Sequence, residues 1–213
     1  MGQGRFITIE GGEGAGKSTQ IRALSQKLQS LDISFKCTRE PGGSTGAEEI
    51  RRLLVEGVAG RWDATSEALL VLAARRDHLV KTVWPAMADG TWVLCDRFID
   101  STYAYQGYGH GLPLESLDQL HAFTLGEFRP DLTILIDLPV ETGLERAHSR
   151  QDRETRFESL ERDFHERVRH GFLERVKQDR ARFLTLDGTQ PLEQVTDQMI
   201  QAVLSRFELS VEE

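Results

Sequence analysis

Short runs of apolar residues recur along the chain and alternate with stretches of helical periodicity. Five of these runs predict β-strands, at residues 6–9, 34–38, 92–95, 132–136 and 183–186. Runs with no polar face are typical of strands that are covered on both sides. The pattern therefore predicts an α/β fold, in which a five-stranded parallel sheet carries helices on both faces within a single domain over residues 1–213.

Two helical segments have apolar patterns that differ in kind. Residues 69–74 are apolar on every side of a predicted helix, so we expect a second face that packs against another copy in a homodimer. Burial of the whole helix within one monomer is the alternative. A long amphipathic helix is predicted near the C-terminus, where apolar residues recur at helical spacing among alternating charges: Phe157, Leu160, Phe164, Val168 and Phe172.

Composition narrows the class of protein. The chain of 213 residues has 39% hydrophobic residues and a net charge of −8, with no apolar run long enough to span a membrane. We expect a cytoplasmic protein without a secretory signal. The negative charge argues against a nucleic-acid partner, so anionic ligands must be bound by local arginines. Cys37 and Cys95 lie in apolar segments and are predicted to be buried, reduced thiols.

The strongest motif follows the first predicted strand directly. Residues 11–18 read Gly-Gly-Glu-Gly-Ala-Gly-Lys-Ser and match the P-loop pattern G-x-x-x-x-G-K-[ST]. In such a loop the backbone N–H groups surround the phosphates, the lysine meets the outer phosphates and the hydroxyl holds Mg²⁺. The motif predicts binding of MgATP by Gly11, Gly12, Glu13, Gly14, Ala15, Gly16, Lys17, Ser18 and Thr19.

Further residues distinguish this chain among P-loop proteins. It contains no asparagine, so the Asn-Lys-x-Asp motif of GTPases is absent. Asp96 is predicted to end the third strand, at the edge where such folds bind ligands, and can help Ser18 hold the metal. Arg97 follows with a planar guanidinium suited to phosphate oxygens. Together with Arg39, Arg51 and Arg75, it predicts a second anion pocket, which a simple ATPase would not need.

Several separated motifs resemble those of the thymidylate kinases, and the resemblance covers nearly the whole chain. The motifs are FITIE at residues 6–10, TREPGG at 38–43, AAR at 73–75, DRF at 96–98, AYQG at 104–107, FRPDLT at 128–133 and LDGTQ at 186–190. This resemblance implies a nucleoside monophosphate kinase-like P-loop fold with a mobile lid. It also implies transfer of the γ-phosphoryl group of MgATP to dTMP, giving dTDP and ADP for dTTP biosynthesis.

The same resemblance assigns residues to the dTMP pocket. Arg39 and Arg97 would bind the 5′-phosphate, with Arg51 in the same pocket, while Glu13 would lie near the 3′-hydroxyl and Tyr105 would crowd the 2′ position. The thymine ring would be read by Arg75, Ser101, Thr102 and Gln106. On the donor side, Gly188 and Thr189 would border adenine. The Glu40–Pro41 bond is predicted to be cis.

A polar, arginine-rich segment at about residues 146–157 resembles the lid of this family. Because no basic residue precedes Lys17 in the P-loop, the lid is expected to supply the catalytic arginine, as in bacterial members of this type. Arg153 is the first candidate, and Arg150 or Arg156 is the alternative. The predicted catalytic residues are Lys17, Asp96, Arg97 and Arg153.

Two positions depart from the family pattern. Val71 stands where a phenylalanine often stacks on thymine, and Thr155 replaces a common acidic residue before Arg156. The first departure leaves the contact between Val71 and the base open. Two other enzyme readings remain, a deoxynucleoside kinase and a kinase for another nucleoside monophosphate. A nucleotide-gated binding module without turnover is the alternative from another class.

Overall fold

The computed structural model describes residues 3–57, 60–148 and 160–209. Within these ranges five strands form one sheet, and every neighbouring pair is parallel. The order across the sheet is β2-β3-β1-β4-β5. The strands are β1 Phe6–Glu10, β2 Phe35–Arg39, β3 Trp92–Asp96, β4 Leu132–Asp137 and β5 Phe183–Asp187.

Helices connect the strands, as the alternating pattern predicts. Two of them continue into π-helical segments, which span Leu79–Val83 after α3 and Tyr103–Gly109 after α5. Such segments are rare in proteins and often occur at functional sites. The α-helices are α1 Lys17–Ser30, α2 Thr45–Val55, α3 Ala64–His78, α4 Trp84–Ala88, α5 Ile99–Thr102, α6 Leu114–Leu125, α7 Val140–His148, α8 Arg162–Gln178 and α9 Leu192–Arg206.

The core lies on both faces of the sheet. On one face, Leu24 of α1 and Met199 of α9 pack against strand residues such as Ile134. On the other face, Ala68 of α3 and Leu117 of α6 pack in one cluster with Phe6. The strands are therefore covered from both sides, which explains why they read as continuous apolar runs and confirms the predicted layers.

Each strand extends one residue beyond its predicted end. The additional residues are polar, so the apolar pattern stops before the backbone pairing does. Their position at the carboxyl edge of a parallel sheet brings chemically reactive side chains together. These residues are Glu10, Arg39, Asp96, Asp137 and Asp187.

The prediction of two buried cysteines is wrong for Cys37. Cys95 is buried in the central strand β3, whereas Cys37 is exposed on β2, and both are free thiols. β2 is an edge strand of the sheet, and two of its other side chains, Lys36 and Arg39, are exposed as well. The local apolar context of Cys37 therefore did not reveal its exposure, because exposure depends on the position of the strand in the sheet.

The structure answers the two helix predictions made for residues 69–74 and for the amphipathic segment near the C-terminus. On α3, Leu72 and Ala74 are buried while Leu69 and Ala73 are exposed, so the helix is not wholly buried within this chain. The predicted amphipathic helix is α8, which begins at Arg162. Leu160 precedes it, and Phe157 lies outside the described residues. None of the described helices is both long and apolar enough to cross a membrane.

Candidate active site

A cleft of about 340 Å³ opens at the carboxyl edge of the sheet, where the P-loop joins β1 to α1. At one end it is lined by the P-loop from Glu13 to Ser18 and by Asp96. At the other end it is lined by residues that the sequence assigns to the acceptor. All ten of these residues line it: Glu13, Arg39, Arg51, Val71, Arg75, Arg97, Ser101, Thr102, Tyr105 and Gln106.

The P-loop takes the backbone conformation that its glycines permit. Gly14 and Gly16 have φ values of 66° and 93°, which residues with a Cβ atom rarely adopt. The Nζ atom of Lys17 donates hydrogen bonds to the carbonyl oxygens of Gly11 and Gly12, at 3.3 and 3.1 Å. Burial and the nearby charge of Arg97 lower the pKa of Lys17. A bound phosphate would offset both effects, because its negative charge favours the protonated form of Lys17.

Helix α7 packs directly against the P-loop through two glycines. A Cβ atom on Gly14 would lie 2.0 Å from the carbonyl oxygen of Gly143, and one on Gly143 would lie 2.4 Å from the carbonyl oxygen of Glu13. The two backbones approach too closely for any side chain between them. Gly143 was not predicted from the sequence, because only the fold shows that α7 packs on the P-loop at this position.

Arg97 is held at the centre of the cleft. Its φ is 66°, an uncommon value for a non-glycine residue. Its guanidinium donates to Glu13 Oε1 at 3.0 Å, to the carbonyl oxygen of Gly11 at 3.0 Å and to the Ser101 hydroxyl at 3.2 Å. It also lies over the ring of Tyr105, 4.9 Å from the centroid. This arrangement orients a fixed positive charge between the P-loop and the acceptor end.

Glu13 is held in its ionised form by its surroundings. Burial by itself raises the pKa of this carboxyl, but the charges of Arg97 and Lys17 and the Tyr105 hydroxyl lower it to about 2. The Tyr105 hydroxyl donates to Glu13 at 2.7 Å. Glu13 is therefore an acceptor at neutral pH, which suits a ligand hydroxyl group.

Asp96 and Ser18 line the same end of the cleft. The Oδ1 atom of Asp96 is buried and forms no hydrogen bond within the described residues, so this carboxylate retains coordinating capacity. A carboxylate and a hydroxyl are oxygen ligands of the kind Mg²⁺ prefers, and Mg²⁺ usually takes only one or two protein ligands besides phosphate oxygens and water. No group of three or more acidic, His or Cys side chains suited to a metal occurs in the described ranges. The donor set therefore fits a Mg²⁺–nucleotide complex better than a metal held by the protein alone.

The acceptor end is built around a buried guanidinium. Arg75 is 1% exposed and donates to Glu40 Oε2 at 2.6 Å and to the Thr102 hydroxyl at 2.9 Å. The other oxygen of Glu40 contacts His78 Nδ1 at 2.9 Å. The following Glu40–Pro41 bond is cis, as predicted. These contacts fix Arg75 in the cleft by charge-assisted hydrogen bonds rather than by packing alone.

Val71 faces the cleft on the same side of α3 as Arg75. It is 9% exposed and packs with Leu54 and Val55 of α2 in a small apolar cluster. All three line the cleft, and so does Phe98, over whose ring the Arg75 guanidinium lies at 4.9 Å. Leu54 and Val55 were not identified from the sequence because nothing local marks an apolar helix end as a pocket wall.

Glu10 is a buried acid that contacts two residues of the cleft wall, Phe98 and Ser101. Its side chain is fully buried and accepts hydrogen bonds from the Phe98 backbone N–H at 2.8 Å and from the Ser101 hydroxyl at 2.6 Å. Burial, together with repulsion from Asp100, raises its pKa to about 7. The sequence shows this acid directly after the predicted apolar run, but its role as a hydrogen-bond acceptor under the site was not predicted.

Arg39 and Arg51 line the cleft through side chains that already have partners, whereas several residues assigned to ATP lie outside it. Arg39 is half exposed and pairs with Glu48 at 3.2 Å, and Arg51 donates to the Pro41 carbonyl at 2.6 Å. Gly188 follows β5, outside the residues that line the cleft, and its carbonyl accepts a hydrogen bond from Arg146 at 3.4 Å. Thr19 and Thr189 are exposed, and Gly12 lines a separate small cavity.

The predicted lid falls mostly outside the described residues, including Arg150, Arg153 and Arg156. The first three residues of the predicted segment, 146–148, form the last turn of α7. Ala147 is 2% exposed and lines the cleft. These three residues therefore belong to a packed helix, because the apolar face of α7 continues to Ala147.

A P-loop, an acid at the end of β3 and an arginine-lined compartment in one cleft define a P-loop nucleotide kinase. The thymidylate kinase family model matches residues 9–199. The chain belongs to the thymidylate kinase family. Among curated relatives, the thymidylate kinase of Magnetococcus marinus is 49% identical over 208 residues, which cover 98% of this chain and 99% of that protein. The thymidylate kinase of Caulobacter vibrioides is 48% identical, with 98% of this chain and 100% of that protein covered.

Proposed function

We infer that this chain transfers the γ-phosphoryl group of ATP to dTMP, giving dTDP and ADP, a step in dTTP biosynthesis. One observation carries the inference beyond family membership. A single cleft joins the P-loop to a buried arginine, Arg75, and a buried amide, Gln106. A nucleotide lying along this cleft would have its phosphate at the P-loop end, beside the γ-phosphate of ATP, and its base beside Arg75 and Gln106.

We propose that the phosphates of both substrates meet around Arg97 and Lys17. The dTMP phosphate oxygen is already anionic, so it can attack in line without a general base. Arg97 and Lys17 are preorganised by their hydrogen bonds and stabilise charge on the transferring group. Arg39 and Arg51, which line the same cleft, would bind the acceptor phosphate, and Glu13 would accept a hydrogen bond from the sugar 3′-hydroxyl.

Ser18 and Asp96 are the proposed ligands of Mg²⁺. Bound there with ATP, Mg²⁺ would neutralise phosphate charge in the way general to phosphoryl transfer. In this proposal Asp96 orients the metal complex through its buried Oδ1 atom. The adjacent Arg97 is then fixed by the backbone relative to the same complex.

The catalytic arginine of the lid is part of the proposal. Lys17 is the only lysine or arginine that the P-loop contributes to the cleft. Further positive charge at the transferring phosphoryl group would therefore come from the segment after α7. We expect Arg153→Ala to lower kcat at least about a hundredfold, a typical effect of removing a preorganised electrostatic contact. Arg150→Ala and Arg156→Ala serve as matched comparisons in the same assay. Normal kcat in all three variants would mean that the segment only covers the site.

A coupled assay of ADP release tests the function directly. Purified enzyme is given ATP, Mg²⁺ and a panel of acceptors: dTMP, dUMP, dCMP, dGMP, AMP and thymidine. We expect the highest kcat/KM with dTMP and none with thymidine, because a nucleoside lacks the phosphate that the arginines bind. Turnover of thymidine would indicate a deoxynucleoside kinase, and ATP binding without ADP release would indicate a binding module.

We also propose that the enzyme is a cytoplasmic homodimer. The apolar residues Leu69 and Val80 of the α3 region are 50% and 45% exposed, and Phe123 of α6 is 90% exposed. The two helices are joined where Arg76 donates to the Thr124 carbonyl at 3.0 Å. A second copy would remove this apolar surface from water.

A further inference from the structure

Glu67 is a fully buried acid outside the set of residues that line the cleft. It lies on α3 one turn before Val71 and two turns before Arg75. Its Oε1 atom accepts a hydrogen bond of 2.8 Å from Nε2 of Gln106, which does line the cleft. A buried acid that contacts a base-reading residue calls for an explanation, since burial of a carboxyl group is costly.

The contact fixes the orientation of the Gln106 amide. The amide has a donor end and an acceptor end, and a carboxylate oxygen can take only the donor end. Because the Nε2 atom of Gln106 donates to Glu67, the Oε1 atom of the same amide is directed away from Glu67. No described residue donates a hydrogen bond to this Oε1 atom, so it is available as an acceptor to a ligand in the cleft.

A second residue in the cleft gives a complementary pattern. Arg75 carries only donors. Its Nε atom donates to Glu40 and its Nη1 atom contacts Thr102 and His121, whereas no described residue accepts from its Nη2 atom. The cleft therefore combines an acceptor from Gln106 with a donor from Arg75. Thymine and uracil match this pattern, because their N3 is a donor and their O4 an acceptor. Cytosine has the opposite pattern, with an acceptor at N3 and a donor at its 4-amino group.

We propose that Glu67 is a positioning residue for base discrimination, which holds the acceptor end of Gln106 toward the base and so disfavours cytosine. The proposal rests on the proposed function, because it assumes a pyrimidine monophosphate in the cleft. Glu67 acts through Gln106 and does not itself touch the substrate. His110 Nε2 lies 3.2 Å from the same oxygen of Glu67.

The test compares acceptors in the variant Glu67→Gln. An amide at position 67 can donate as well as accept, so Gln106 is free to turn its donor end toward the base. We expect the ratio of kcat/KM for dTMP to that for dCMP to fall at least about tenfold, as loss of one well-placed hydrogen bond predicts. The change should appear in KM, with kcat for dTMP altered by less than about twofold, because the base is remote from the reacting phosphates.

Two comparisons separate positioning from a general structural role. The ratio of dTMP to dUMP should stay constant, because both bases present the same hydrogen-bond pattern. In a Gln106→Ala background, Glu67→Gln should change the dTMP to dCMP ratio by less than about twofold, since interacting residues are non-additive. Glu115→Gln makes the same chemical change at an exposed position of α6 and should leave every ratio unchanged.

Several outcomes would overturn the proposal. One is an unchanged dTMP to dCMP ratio in a folded Glu67→Gln enzyme, and another is an equal change of that ratio with and without Gln106. If Glu67→Gln does not fold, Glu67→Leu offers an apolar side chain of similar size that also leaves Gln106 unrestrained, and the same expectations apply. A wild-type enzyme that does not use dTMP would instead contradict the proposed function, whatever the variants show.

Discussion

Arg97 shows at the scale of one residue how the backbone places a reactive group. Its left-handed conformation costs of order 1 kcal/mol or more and persists only where the surroundings enforce it. Here the enforcing contacts are those of its guanidinium with Glu13, Gly11 and Ser101. The turn after β3 directs the side chain back across the carboxyl edge, between the P-loop and the acceptor end.

Val71 provides a prediction on base affinity. Its side chain lines the cleft as an aliphatic surface, so replacement by an aromatic ring would add a stacking partner worth about 0.5–1.5 kcal/mol. We expect Val71→Phe to lower the KM for dTMP roughly twofold to tenfold while kcat stays the same. The measurement is steady-state kinetics together with thermal unfolding, since a phenylalanine could overpack against Leu54 and Val55. An unchanged KM at undiminished stability would show that position 71 does not contact the base.

Glu10 provides a prediction on pH and stability. Its pKa in the folded protein is about 7, above the ordinary value of 4.5, so the folded state binds the proton more tightly than the unfolded state. This contribution to stability is fully present below pH 4.5 and is lost as the pH rises through 7. Between pH 5 and 8, the free energy of unfolding of the wild type should fall by roughly 2–3 kcal/mol relative to Glu10→Gln. Urea unfolding at both pH values measures this difference, and parallel pH profiles for the two proteins would contradict the assignment.

At the scale of elements, the packing of α7 on the P-loop couples two parts of the donor site. The Gly14–Gly143 contact leaves no room for a side chain, and α7 leads into the segment assigned to the lid. Displacement of α7 would therefore disturb the P-loop backbone and the start of that segment together. Such coupling follows from close packing, which transmits small shifts between neighbouring elements.

Gly143→Ala tests this coupling. The added methyl group would meet the Glu13 carbonyl oxygen at 2.4 Å, and backbone atoms cannot yield as a flexible side chain would. We expect a loss of about 1–3 kcal/mol of stability, the usual range for overpacking, together with a raised KM for ATP. Glu145→Ala, on an exposed position of the same helix, should change stability by less than about 0.5 kcal/mol. A Gly143→Ala enzyme with normal stability and normal ATP KM would argue against the coupling.

At the scale of the whole molecule, the neighbouring helices α3 and α6 each expose a large apolar side chain, Leu69 and Phe123. Phe123 is nearly as exposed as a side chain can be. The guanidinium of Arg76, which donates to the Thr124 carbonyl, also lies over the ring of Trp84. Isolated exposed apolar residues need no explanation, whereas several on adjoining helices support the proposed dimer interface.

The dimer proposal predicts a concentration-dependent mass. Leu69→Glu would bury a carboxylate without a partner, which costs several kcal/mol, so we expect dimerisation to weaken at least about a hundredfold. Sedimentation velocity over a range of concentrations measures it. Leu192→Glu, at a similarly exposed position on α9, is the matched control and should leave the mass unchanged. A wild-type protein that sediments as a monomer at all concentrations would refute the proposal.

The sequence by itself determined the features that depend on neighbours along the chain. The five strands were predicted because each is a short apolar run, and the P-loop because its glycines, Lys17 and Ser18 are contiguous. The acceptor residues were assigned through resemblance, since Arg39 and Gln106 are distant in sequence. Strand ends were missed by one residue because a polar side chain at the edge of a sheet breaks the apolar pattern before the strand ends.

Tertiary structure decided the features that depend on residues far apart in the chain. The pairing of Arg75 with Glu40 and of Gln106 with Glu67 joins positions 35 and 39 residues apart, and no local pattern marks either pair. The exposure of Cys37 follows from the place of β2 at the edge of the sheet. In each case the burial and the partner of a side chain are set by which elements pack together, and local propensity and periodicity carry no information about that choice.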